Sequence, residues 1–149
     1  MVALPDGTYM ILNGAQQGVA GFGLATEPNH RAILYDPSQP VGARMSLLGT
    51  TIVDRMYHSE AILLKDGRVL VSGSDPEDTR FVQEYRVEVY VPPYLTSGLR
   101  QPEFTIQNTD WAYGSQHQIT VTLHQGTTAN MRVSLLAGRC IWFSLTIVF

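Results

Sequence analysis

A short pattern of turn, apolar strand and glycine occurs twice in the chain. The first copy occupies residues 4–14 and the second, about 60 positions later, residues 64–73. Each copy has an Asp-Gly pair at its turn, Asp6-Gly7 in the first and Asp66-Gly67 in the second. Glycine accepts a positive φ at no steric cost, and so an Asp-Gly pair favours a tight turn between two strands. The pattern therefore predicts one β-hairpin at each copy.

A hairpin that recurs at a spacing of tens of residues is typical of β-propellers, in which each blade is a small antiparallel sheet. Kelch blades repeat at about 50 residues, and the wider spacing here fits a blade with one long loop. Asp-Gly hairpins also occur in other all-β proteins, so a different β fold stays open. A propeller needs at least four blades, and this chain has room for about two. We predict an all-β fold whose residues 1–97 form a partial kelch-type β-propeller.

Three further segments complete the prediction for this first part. Residues 13–23 are rich in Gly, Ala and Gln without a clear period, which predicts an irregular loop. Ala32–Tyr35 is a short apolar strand, and Glu84–Val91 alternates apolar and polar residues as a half-buried strand does. Pro92-Pro93 has no donor for a sheet ladder, and we expect an extended stop there in preference to a continued strand or a helix.

The second part, residues 98–149, is predicted to hold the beginning of an immunoglobulin-like β-sandwich. Short alternating runs at 103–107, 118–123 and 131–136 favour three strands. Such a sandwich needs about seven strands and about 100 residues, so we expect a truncated domain. The boundary between the two parts is placed near residues 97–101.

The end of the chain is more apolar than the rest. From Arg139 to Phe149 there is no turn residue, and the run contains Cys140, the single cysteine of the chain. A segment from an alternative exon or a shifted reading frame and a buried sandwich strand are both open interpretations. At this length the run is far too short to span a bilayer as a helix, which takes about 20 residues.

Charge and composition exclude several classes of partner. The net charge is -3 and no run of Lys or Arg occurs, so we expect no nucleic-acid partner. One cysteine excludes an internal disulfide framework. The first residues lack the basic and apolar regions of a signal peptide, and we expect neither a signal peptide nor a membrane span in this sequence.

The strongest candidate for chemistry is the pair Tyr57-His58, just before the second hairpin. A phenolate oxygen and an imidazole nitrogen together suit Cu(II) in tetragonal geometry. Neighbouring side chains on a regular strand point to opposite faces, so both can reach one ion only where the strand begins or is irregular. The alternative, a packed Tyr57 and a His58 bonded to a carbonyl, stays open on these residues alone.

Several spaced motifs resemble glyoxal oxidase-like proteins, which belong with galactose oxidase to the copper-radical oxidases. In chain order these motifs are Asp6-Gly7 to Gln16, Leu34-Tyr35-Asp36-Pro37, Arg55-Met56-Tyr57-His58-Ser59, Asp66-Gly67 to Ser74 and Glu88 to Leu95. The resemblance covers nearly all of the chain up to about residue 136. It implies the last kelch-like blades of the propeller, followed by the start of the immunoglobulin-like C-terminal domain.

The resemblance also implies a cofactor and roles for two residues. Copper would be bound by Tyr57 as axial ligand and catalytic base and by His58 as equatorial ligand. The family oxidises small aldehydes or alcohols with O2, gives hydrogen peroxide and is extracellular. Its remaining ligands, a cysteine-linked tyrosine and a second histidine, do not carry over, because Cys140, His117 and His124 do not match those positions.

We therefore expect a fragment of an extracellular copper-radical oxidase that is inactive by itself. Two alternatives stay open. The chain is a non-catalytic β-propeller and immunoglobulin-like module that binds a partner, or it is the product of a truncated gene model. Copper binding that depends on Tyr57 and His58 separates the first hypothesis from the other two.

Overall fold

A computed structural model describes residues 1–77, 79–137 and 143–148. Strands dominate, joined by one short α-helix and one 3-10 turn, so the prediction of an all-β chain is confirmed. The strands are β1 Val2–Ala3, β2 Tyr9–Ile11, β3 Ala15–Gly18, β4 Ala25–Pro28, β5 Arg31–Tyr35, β6 Met45–Thr50, β7 Glu60–Leu63, β8 Val69–Ser72, β9 Glu88–Tyr90, β10 Glu103–Ile106, β11 Ile119–Thr122, β12 Arg132–Ala137 and β13 Phe143–Val148. The helix α1 is Pro93–Thr96, and the 3-10 turn is Thr128–Asn130.

Besides the two-stranded sheet β3-β4, the first part of the chain has two larger antiparallel sheets. The first sheet has the strand order β1-β2-β5-β6 and the second has the order β7-β8-β9. Both predicted hairpins are present, β1 with β2 and β7 with β8. Each sheet is a small antiparallel meander, as expected for one propeller blade.

The two hairpin loops have the same hydrogen bonding. In the first, Leu4 N donates to Thr8 O at 2.9 Å and Gly7 N donates to Leu4 O at 3.1 Å. In the second, the equivalent bonds from Leu64 and Gly67 are 2.8 and 3.0 Å long. The two glycines have φ of 87° and 85°, a backbone conformation that is strained for any residue with a side chain. The repeated Asp-Gly pairs thus encode one loop geometry twice.

The core lies between these two sheets. Its buried side chains come from both hairpins: Val2, Leu4, Met10, Val69 and Val71. Burying each of these residues stabilises the fold by about 1.5–3 kcal/mol. This packing joins the two predicted repeats into one unit.

The prediction of an irregular loop over residues 13–23 is wrong. Ala15–Gly18 forms β3 and pairs with β4, Ala25–Pro28, as an exposed two-stranded sheet. All four residues of β3 are exposed, so neither face carries the apolar alternation that reveals a half-buried strand. The sequence of such an exposed strand therefore carries no alternating pattern that would predict it.

The predicted strand Glu84–Val91 is largely wrong in extent and in the face it buries. Only Glu88–Tyr90 forms β9, and Tyr85 and Val87 before it are 81% and 61% exposed. Val89, on the predicted inner face, is 42% exposed. The strand turns the side chain of Glu88 inward because the Arg55 guanidinium binds it there. An ion pair therefore sets the orientation of this strand against its apolar pattern.

The helix α1 and the strand β6 also differ from expectation. The strand stops at Pro92 as predicted, but Pro93 begins the helix α1, where a missing N–H costs nothing in the first turn. The expectation of an extended stop without a helix is wrong on that point. The sequence pattern also failed to predict β6, whose residues alternate poorly and whose side chains are mostly exposed.

The second part of the chain consists of two strand pairs. The three strands predicted there are confirmed as β10, β11 and β12; β10 pairs with β11, and β12 pairs with β13. An immunoglobulin-like sandwich and the boundary near residues 97–101 stay predictions. Of the apolar end, residues 139–142 and Phe149 lie outside the described residues. No helix in the described part of the chain is long and apolar enough to cross a membrane.

Candidate metal centre

Tyr57 and His58 lie in the turn that immediately precedes β7. His58 has a φ of 59°, a left-handed conformation that is uncommon for a residue with a side chain. This irregular backbone places the two neighbouring rings on the same side, with their centroids 4.4 Å apart. The structure therefore brings together the two predicted ligands in the kind of irregular turn that the sequence argument requires.

A third ring completes an aromatic cluster. Phe22, from the loop between β3 and β4, lies 4.8 Å from the Tyr57 ring in an edge-on arrangement and 5.6 Å from the His58 ring. Edge-to-face pairs at these distances are favourable because the ring edge is positive and the ring face negative. Tyr57 remains 41% exposed, so the cluster stays open to solvent and to small molecules.

A cavity of about 290 Å³ lies beside Tyr57. The β3–β4 hairpin forms one wall, and Met56, Tyr57 and Pro76 form the other. The hairpin side is lined mainly by glycine and alanine, which leave backbone groups accessible. Such a space suits a small molecule with few carbon atoms.

Backbone hydrogen bonds hold the turn on both sides. Met56 N donates to Ser74 Oγ at 2.9 Å, and Asp75 N donates to Tyr57 O at 2.8 Å. The loop after β8 therefore supports the turn directly. From the other side, Gly14 N donates to Arg55 O at 2.8 Å.

Ser59 and Asn13 add a second support. The Ser59 hydroxyl donates to Met56 O at 2.8 Å, and Asn13 Nδ2 donates to Ser59 Oγ at 3.1 Å. Asn13 belongs to the end of the first repeat, so this contact links the two repeats at the candidate site. The turn is fixed by both blades.

Gly73 approaches the turn too closely for any side chain. A Cβ on Gly73 would lie 2.8 Å from the carbonyl oxygen of His58, and the φ of Gly73 is 73°. Contacts under 3.0 Å between such atoms force the backbone to shift. The glycine that ends the second repeat thus makes room for the turn that carries Tyr57 and His58.

Arg55 is the most deeply buried charged residue in the described part of the chain, at 1% exposure. Its guanidinium donates to Gly73 O at 2.8 Å, to Arg86 O at 2.9 Å and to the Glu88 carboxylate at 2.8 Å. The other oxygen of Glu88 accepts the Thr51 hydroxyl. No buried side-chain polar atom among the described residues is without a partner.

The segment that receives Arg55 has its own ion pair. Glu84 accepts from Arg86 Nε at 2.9 Å, and its backbone N–H donates to Ser74 O at 2.9 Å. Hydrogen bonds from Arg86 lower the pKa of Glu84 to about 2. The carboxylate therefore stays charged in weak acid and keeps this segment in place.

The donor set fits copper in type. Tyr57 and His58 offer an oxygen and a nitrogen, which Cu(II) accepts in tetragonal sites. Among residues 1–77, 79–137 and 143–148, no group of three His, Cys, Asp or Glu residues is placed to bind a metal ion. A copper site built on this pair would therefore need further ligands.

The other residues weighed as ligands lie elsewhere. His117 stacks on Trp111 at 4.4 Å between ring centroids, and His124 bonds to Glu103 at 3.0 Å. Both belong to the second part of the chain. Cys140 lies outside the described residues.

The sequence singled out Tyr57 and His58 as candidate ligands but not the residues that hold their turn in place. Arg55 stood inside the recognised motif without an assigned role, and its acceptors are 18 to 33 positions away in sequence. Ser74 and Phe22 also carried no local signal.

Comparison with known proteins adds family information. Residues 1–94 match the family described as "Glyoxal oxidase N-terminus". A "WSC domain-containing protein" of Arthroderma benhamiae is 61% identical over 136 residues, covering 91% of this chain and 14% of that protein. An aldehyde oxidase of Arabidopsis thaliana is 38% identical over 147 residues, covering 91% of this chain and 24% of that protein.

A solved structure shows the same fold. It is a fungal alcohol oxidase in complex with copper, with a TM-score of 0.65 and 23% identity. The match covers 80% of this chain and 25% of that one. The chain therefore spans about a quarter or less of the length of each protein compared here.

Proposed function

The chain belongs to the glyoxal oxidase family, and we propose that it supplies two copper ligands, Tyr57 and His58, to an oxidase of aldehydes or alcohols. The observation that carries the proposal is the pairing of these two rings in one irregular turn, with centroids 4.4 Å apart. A turn with positive φ at His58 is what allows neighbouring side chains to face one ion. Such a conformation costs free energy for a residue with a side chain and persists only where surrounding contacts hold it.

Copper bound there would supply one-electron redox chemistry with O2 as the final acceptor. His58 would hold the ion through a ring nitrogen. Tyr57 would bind it through the hydroxyl oxygen, and as the base it would take up a proton from the substrate. In the overall reaction an aldehyde hydrate loses two electrons and two protons to become a carboxylic acid, and O2 gains both to become hydrogen peroxide.

The surroundings of Tyr57 support a small substrate. The adjacent cavity of about 290 Å³ has small side chains along the β3–β4 hairpin, and Phe22 covers one side of the ring pair. A short aldehyde or primary alcohol fits this space. An extracellular location, as the family resemblance implies, belongs to the same proposal.

Copper titration of the chain tests the proposal. We expect isothermal titration calorimetry to show one Cu(II) site in the chain and no such site in the double variant Tyr57→Phe, His58→Ala. The matched control Tyr113→Phe, His117→Ala removes the same chemical groups from the second part of the chain and should bind as the unchanged chain does. Equal copper binding by the Tyr57, His58 variant would discard the site.

A further inference from the structure

Arg55 is buried, although Asp54 before it and Tyr57 shortly after it are exposed. Its side chain is 1% exposed, although it carries a full positive charge. Its three hydrogen-bond acceptors belong to two separate segments, the loop after β8 and the segment that enters β9. Two of these acceptors are backbone carbonyls, which only the local fold can place.

Burying a guanidinium is expensive unless its donors are satisfied. An apolar residue of similar size often stabilises a core as well as a buried ion pair does, so stability alone does not explain the charge. Unlike an apolar side chain, the guanidinium also fixes the positions of its neighbours, because its planar group of N–H donors binds each acceptor at a defined angle. The Glu88 carboxylate, shared with Thr51, supplies the compensating charge.

The segments that Arg55 fixes are those that touch the metal-binding turn. Gly73, whose carbonyl accepts from Arg55, lies against the His58 carbonyl. The next two residues, Ser74 and Asp75, hydrogen-bond to Met56 N and Tyr57 O. The side chain of Arg55 therefore reaches around the turn and holds the loop on which the turn rests.

We propose that Arg55 is a positioning residue: with Glu88 as its counter-charge, it locks the loop at residues 73–75 against the turn so that Tyr57 and His58 face one metal ion. This inference rests on the proposed function for its metal, although the locking itself is a property of the metal-free chain. Neither Arg55 nor Glu88 touches the metal in this account.

The first test needs no metal. Amide hydrogen exchange by NMR reports on the three bonds that hold the turn, through the N–H groups of Gly14, Met56 and Asp75. In Arg55→Lys we expect these amides to exchange at least about tenfold faster, while the amides of β8 change by less than about twofold. Arg68→Lys, an equal change at an exposed arginine paired with Asp66, should leave both sets unchanged.

A uniform increase at all amides would show that Arg55 merely stabilises the fold, and it would overturn the proposal. Unchanged protection of the three turn amides would overturn it as well. Should Arg55→Lys fail to fold, Glu88→Gln serves as the second variant. This variant removes the counter-charge but keeps the shape of the side chain. We expect the same three amides to exchange faster, by a smaller factor than in Arg55→Lys.

The second test uses Cu(II) alone as the probe. Supporting residues behind metal ligands typically cost about 10- to 100-fold in affinity when changed, and we expect Arg55→Lys to weaken copper binding within that range and to alter the EPR spectrum of the bound ion. Equal affinity and an identical spectrum would contradict the proposal. If the unchanged chain itself binds no copper, the proposed function fails, whereas the exchange experiment still decides the role of Arg55.

Discussion

Residues at the candidate site are held in place by contacts with segments that are distant in sequence. The candidate pair Tyr57-His58 could be singled out from the sequence because the two residues are adjacent, but the left-handed turn at His58 that brings their rings together could not. The support from Arg55 to Glu88 could not, since these residues are 33 positions apart and no local period connects them. Long-range polar contacts of this kind depend on how the two blades pack.

Gly73 provides a prediction at this scale. In Gly73→Ala the new Cβ meets His58 O at 2.8 Å, and we expect a loss of about 1–3 kcal/mol in the free energy of unfolding, with weaker copper binding. Gly42→Ala is the matched control, because its φ of 96° imposes similar strain while no atom lies within 4 Å of the added Cβ. Urea denaturation of both variants measures the difference. Equal losses would mean that the contact with His58 is unimportant.

The ion pair of Glu84 and Arg86 predicts a titration. The pKa of Glu84 lies near 2, lowered chiefly by the Arg86 side chain, against 4.5 for an ordinary glutamate. A depressed pKa in the folded state stabilises the fold above pH 4.5 and loses that contribution as the pH falls from 4.5 through about 2. Carboxyl ¹³C NMR of Arg86→Gln should show the Glu84 pKa rising toward 4.5, whereas Arg68→Gln leaves it low. An unmoved value in Arg86→Gln would refute the assigned cause.

Elements whose sequence has a strong local signal were predictable, and those stabilised by tertiary contacts were not. The two Asp-Gly loops adopt one geometry because glycine at φ near 86° closes each of them. The exposed strand β3 and the reversed face of β9 escaped prediction for different reasons. The former has no buried side, and the latter is turned by the contact between Glu88 and Arg55.

The packing of the two sheets predicts the cost of core truncation. Met10 on β2 has no exposed surface, and Met10→Ala should lower the free energy of unfolding by about 2–5 kcal/mol. Met45→Ala removes the same atoms from β6, where the side chain is 62% exposed, and should cost less than about 0.5 kcal/mol. Chemical denaturation measures both. Similar costs at the two positions would contradict the placement of the core between the sheets.

At the scale of the whole molecule, the chain corresponds to about a quarter or less of each protein to which it was compared. The sequence predicted the all-β class because hairpin signals and alternating runs cover most of it. The arrangement of the second part could not be predicted to the same degree. Its two strand pairs have few turn signals, and an immunoglobulin-like sandwich there remains a prediction.

The proposal that the chain supplies only two copper ligands predicts how it behaves as a catalyst. A two-electron oxidation at one copper needs a second redox centre, and the cysteine-linked tyrosine that the family resemblance implies has no match at Cys140. We expect the 149-residue chain, loaded with Cu(II) and given methylglyoxal and O2, to form no more hydrogen peroxide than free copper does. A peroxidase-coupled assay measures it. Peroxide formation that disappears in Tyr57→Phe would show that these residues suffice.

The central claim is that His58, beside Tyr57, binds copper. Pulsed EPR of the chain with one equivalent of Cu(II) detects the remote nitrogen of a coordinated imidazole, and single histidine variants assign it. We predict that the nitrogen modulation is lost in His58→Ala and retained in His30→Ala, which removes an exposed histidine that pairs with Asp54. Modulation that persists in His58→Ala and vanishes in His30→Ala would place the metal elsewhere and contradict the account.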